Sequence, residues 1–140
     1  MSNESVISDW LHSQRESAHQ GNILFDGDAI YSYGYHFRMA QRFGTVTLLT
    51  SANSSPTTNR HVSLLRMALH HSGVKVINVY HVNPITPEHH AVNIEDLETR
   101  ITELSHRASR RRIKGYADLD YAQADAIGRN LVAYKRFFKL

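Results

Sequence analysis

The sequence predicts an α+β domain: an antiparallel sheet of four to five strands with helices packed on one face. Three observations carry that expectation. Short β-prone runs are separated by Asp-Gly and lone-Gly turns between residues 23 and 50. Amphipathic runs with helical spacing follow from residue 56 onward. A chain of 140 residues with 41% hydrophobic and 21% charged side chains is long and apolar enough to bury one core, so residues 1–140 are expected as a single domain.

The elements follow in order. Residues 4–19 are expected as an amphipathic helix with Val6, Ile7, Trp10 and Leu11 on one side, ended by Gly21-Asn22. Residues 23–25 and 29–33 flank Asp26-Gly27-Asp28 and read as a hairpin. Gly34 interrupts before a strand over 36–43, and Gly44 turns the chain into a β-branched strand over 45–50. Ser54-Ser55-Pro56 is a helix start, because Pro suits the first turn and Ser caps free N–H groups. Val62, Leu65 and Leu69, with Leu64 and Ala68 nearby, give that helix its apolar face as far as Ser72-Gly73. Residues 74–80 form the clearest strand, and 83–90 a loop with two prolines. Asn93 with Asp96 resembles a capping box for a helix through Leu97, Ile101, Leu104 and Ala108. Gly115 breaks the pattern, and Asp118 is expected to cap a last helix carrying Ala124, Ile127, Leu131, Tyr134 and Phe138.

Composition excludes some chemistry. The absence of cysteine removes disulfides, thiolate zinc sites and cysteine nucleophiles. No run approaches the roughly 18 apolar residues of a membrane span, and the start has no leader pattern, so a cytoplasmic protein without membrane contact is expected. The net charge of +3 permits an acidic partner without demanding one. Gly-x-Ser-x-Gly elbows, Walker loops and dinucleotide fingerprints are absent, so no cofactor is expected. Adjacent histidines such as His70-His71 point about 100° apart on a helix, and no His-Glu-x-x-His pattern occurs, so no metal is expected.

Two segments stand out as candidate sites. In Ile30-Tyr31-Ser32-Tyr33-Gly34-Tyr35-His36-Phe37-Arg38, a regular strand would put Tyr31, Tyr33 and Tyr35 on one face and Ser32, Gly34 and His36 on the other. Such rings either stack bases or cover the core. In the second segment, Ser54, Ser55, Thr57, Thr58, Arg60 and His61 surround a helix start, where unpaired N–H groups and the dipole favour anions. The same residues also serve as a cap, with His61 turned to the core. A third group, Arg107, Arg110 and Arg111, lies at a helix C-terminus, expected to point outward as a solvated face or a phosphate-positioning patch.

The pairing of Tyr31-Ser32-Tyr33-Gly34-x-His36-Phe37 with Thr57-Thr58-x-Arg60-His61, closed by Leu131-x-x-Tyr134-x-x-Phe137-Phe138, resembles a family of small uncharacterised bacteriophage proteins over roughly residues 20–140. The resemblance implies a virus-encoded accessory protein acting in the host cell cytoplasm. It supplies no activity and no catalytic residues.

The residues point to a non-enzymatic binding module for DNA or RNA, with Tyr33, His36, Arg38, Thr57, Thr58, Arg60 and His61 as main site and Arg107, Arg110 and Arg111 as the phosphate patch. Two alternatives stay open. One is a protein-binding inhibitor of a host defence enzyme, compatible with a homo-oligomer. The other is a phosphodiesterase using His36 and His61 as acid and base.

Overall fold

The computed structural model describes residues 2–12 and 16–140. The chain divides into two compact units, Met1–Asn83 and Pro84–Leu140.

The first unit runs α1 (Asn3–His12), β1 (Ser17–Gln20), β2 (Ile23–Asp26), β3 (Ala29–Ser32), β4 (Phe37–Phe43), β5 (Val46–Thr50), α2 (Pro56–His71) and β6 (Lys75–Val79). The strands form one sheet in chain order. The α+β class is as expected, but the sheet is larger and mixed. β1 to β5 form an antiparallel meander, whereas β6 runs parallel to β5. A parallel neighbour needs a crossover, and α2 supplies it.

The helix expected over 4–19 is the main local correction. α1 stops at His12, and Ser17–Gln20 is a strand, paired Ala18 to Phe25 and Ser17 to Asp26. Residues 13–15 lie outside the described residues. Gly21, at φ +60°, turns β1 into β2 instead of ending a helix. Partners across the sheet outweigh the weak helical preference of Ser-Ala-His-Gln.

Val6, Ile7 and Trp10 of α1 and Val62, Leu65 and Leu69 of α2 share one core with Ile23, Phe25, Ile30, Ala40 and Leu49 of the sheet. Each fully buried side chain of this size contributes about 1.5–3 kcal/mol relative to exposure. Trp10 also ties α1 to the first hairpin: its indole N–H donates to the Gly27 carbonyl at 3.2 Å, and the Arg42 guanidinium lies 4.6 Å from its ring.

The second unit consists of α3 (Pro87–Ser109) and α4 (Lys114–Phe138). Thr86 caps α3, its hydroxyl accepting from the His89 N–H at 3.2 Å, with Pro87 at the first helical position. His89 and His90 are therefore helical, not part of a loop. Asn93 is not a cap: it is buried one and a half turns into α3, and its amide donates to the Tyr134 hydroxyl at 3.0 Å. Nor does Gly115 break the helix, since it sits in the first turn of α4, which starts from Ile113 without a side-chain cap; Asp118 lies exposed on the second turn. Among the described residues no helix is long and apolar enough to cross a membrane.

Candidate functional site

The two polar segments singled out in the sequence meet. β3 ends at Ser32, whose side chain turns to the face carrying α2, beside Ile30 two residues earlier. There its Oγ lies 2.8 Å from His61 Nδ1 and 3.2 Å from Thr58 Oγ1. All three residues are buried, Thr58 at 2% and His61 at 4% exposure. α2 can present both because Thr58 and His61 are three residues apart and so share a face. Ser55 fixes the start of that face: its hydroxyl accepts from the Thr58 N–H at 3.2 Å. Asn59 reaches back to Ser54, accepting from its N–H at 3.1 Å and donating to its carbonyl at 3.2 Å.

Sequence reasoning missed Ser32 as a site residue. The available signal was its alternation with Tyr31, which puts it on the helix side of the strand. It also expected Thr58 and His61 to face a ligand, whereas the structure buries both. Burial, and then the neighbouring Arg60 charge, push the His61 pKa below the usual histidine value, which favours the neutral ring.

The three tyrosines do not share a face. Tyr33 leaves the strand at φ +58°, followed by Gly34 at +65°. This left-handed pair swings the Tyr33 ring to 5.9 Å from the His61 ring while leaving Tyr33 41% exposed. A left-handed backbone at a bulky aromatic residue is disfavoured by about 1–2 kcal/mol. Here the Tyr33 N–H, donating to the Asn22 carbonyl at 2.7 Å, helps to hold it. His36 is exposed on the same turn. On the helix side, Arg60 is exposed, with its guanidinium 3.5 Å from the Thr57 hydroxyl.

Tyr31, Tyr35 and Arg38 form a second cluster, and alternation assigns Tyr31 to the sheet face opposite Ser32. A register shift between Ile30 and Tyr31 opposes Tyr31 to Arg38. The Arg38 guanidinium donates to the Tyr31 hydroxyl at 3.0 Å and lies 5.3 Å from its ring, and Tyr35 meets Tyr31 edge-on at 5.0 Å. Tyr35 donates to Asp26 at 3.2 Å; the Asp26 charge, more than the hydrogen bond, raises its pKa. Arg38 is thus engaged with tyrosine and stands apart from the Tyr33–Arg60 group.

The arginine patch belongs to the second unit, and two of its three arginines share one carboxylate. Asp120, 3% exposed, is held by Arg107 at 2.8 Å and Arg111 at 2.9 Å. Hydrogen bonds from both guanidiniums lower its pKa to about 2. Arg107 and Arg111 are exposed, as expected, but both are tied to Asp120 and so fasten the α3–α4 connection. Arg110 stays exposed, with its guanidinium 3.1 Å from His106 Nδ1.

His61 is buried and bonded to Ser32, and no hydrogen bond or ring contact joins it to His36 among the described residues. No three of His, Asp and Glu gather as a metal-ligating group among those residues. Comparison with known protein families, curated proteins and solved structures gives no match.

Proposed function

We propose that the protein is a binding module for nucleic acid, with single strands as its preferred form and the exposed Tyr33 and His36, with Arg60, as the contact surface. One observation carries the reading: the exposed Tyr33 ring is held in a disfavoured backbone conformation against His61, next to the first turn of α2. Strain maintained at an exposed aromatic residue fits a preformed stacking platform. Arg60 and the N-terminal end of α2 favour phosphate at the platform's edge. The buried Ser32–Thr58–His61 set keeps platform and helix start in register without touching ligand. Arg110 supplies a further phosphate contact. The motif pairing fits a phage-type accessory protein working in the host cytoplasm.

Fluorescence anisotropy with labelled single-stranded DNA, duplex DNA and RNA at two salt concentrations tests this. Salt-sensitive binding is expected, strongest for a single strand and weakened by Tyr33→Ala. A pull-down from nuclease-treated host lysate that retains a protein, together with no binding to any of the three polymers, would favour the host-enzyme inhibitor instead.

A further inference from the structure

We infer that α4 is a self-association surface, pairing antiparallel with α4 of a second copy of this chain about a two-fold axis near residue 127. This does not depend on the nucleic-acid reading. At 3.6 residues per turn, Asp118, Tyr121, Asp125, Gly128, Arg129, Val132 and Arg136 fall within an arc of about 100° on α4. Every one except Gly128, which is half-buried, is exposed, including the apolar Tyr121 at 46% and Val132 at 54%. Together with Ile101 and Ser105 of α3, part of this stripe lines a groove of about 590 Å³.

Two features select a second copy over other occupants. The first is Gly128. It lies in the middle of a 25-residue helix, and a Cβ added there would meet nothing within 4 Å. The chain's own packing thus gives no reason for a residue that weakens a helix interior. Close approach of another backbone gives one. The second is charge order. Along the stripe the acids, Asp118 and Asp125, precede the bases, Arg129 and Arg136. Asp125 and Arg129 lie two residues to either side of position 127, and Asp118 and Arg136 nine to either side. An antiparallel copy therefore sets each acid opposite a base and Tyr121 opposite the region of Val132, as a self-complementary two-fold contact requires. A parallel copy would oppose like charges. Asp118, Asp125, Arg129 and Arg136 form no ion pair within the chain among the described residues.

Sedimentation velocity of the full, nuclease-treated chain over a concentration series tests the inference. A concentration-dependent dimer is expected. Asp125→Arg alone and Arg129→Asp alone should each weaken it by about tenfold or more, because each creates two like-charge contacts across the axis. The double exchange, Asp125→Arg with Arg129→Asp, should restore it. Gly128→Leu should weaken it with helicity by circular dichroism unchanged. A monomer at every concentration, a dimer indifferent to both reversals, or disruption that the double exchange does not rescue would each overturn the proposal. Failure here leaves the Tyr33 surface untouched, since anisotropy reads that separately.

Discussion

Ser32 Oγ and His61 Nδ1 lie 2.8 Å apart across 29 residues of sequence, inside the first unit's core. The contact joins the end of β3 to the first turns of α2, and so fixes where Tyr33 emerges relative to Arg60. Ser32→Ala would leave the buried His61 nitrogen and the Thr58 hydroxyl short of a partner. A loss of about 1–3 kcal/mol is expected in denaturant unfolding. A double-mutant cycle with Thr58→Val should show coupling, since both residues share one network.

The lowered pKa of His61 predicts a pH dependence. Its folded pKa lies below the ordinary 6.5, so the unfolded chain binds the proton more readily. Stability from this group is therefore fully present above about pH 6.5 and is lost as pH falls towards the folded value. Thermal unfolding followed as pH falls from about one unit above the ordinary histidine value to about one or two units below it should show His61→Gln with a flatter decline than the parent. Equal slopes would mean His61 takes up its proton without cost.

Asp120 acts at lower pH. With its pKa held at about 2, against an ordinary 3.8, its contribution is present above 3.8 and lost as pH falls through about 2. Asp120→Asn should destabilise the chain at neutral pH, because it leaves Arg107 and Arg111 without their carboxylate. The difference from the parent should shrink below pH 3.8. For the same reason Arg110→Ala alone, rather than paired with Arg111→Ala, is the substitution that reports on phosphate contact: it should reduce the salt slope of binding with the melting temperature unchanged.

Tyr33 separates strain from function. Tyr33→Gly removes the side chain from a left-handed position that glycine adopts freely. Stability should hold or rise, by about 1 kcal/mol at most, while affinity for single strands falls. A large drop in stability would make Tyr33 a packing residue.

Much of the first unit was legible because its signals are local. Ser55-Pro56 marks the start of α2, Val62, Leu65 and Leu69 mark its buried face, and the β-branched run marks β5. β1 was not legible, because Ser17–Gln20 has no strand signal of its own and is defined by its partner β2. The parallel pairing of β6 depends on the path of α2, which no window of residues shows. At the site, the convergence of the two polar segments followed from neither segment alone. The positive φ of Tyr33 hid in a run that reads as a regular strand. Asp120 went unnoticed because an acid on a predicted helix looks solvated until two guanidiniums close on it. In α3, Thr86-Pro87 gave the true start, but the Asn93 and Asp96 spacing imitated a later one.

The most direct test of the account is anisotropy of a labelled single strand against the parent chain, Tyr33→Ala and Arg60→Ala, at low and moderate salt. Salt-sensitive binding by the parent is expected, weakened by about 1–3 kcal/mol when the Tyr33 ring is lost, with a reduced salt slope for Arg60→Ala. Binding unchanged in both variants, or none by the parent at low salt, would contradict it.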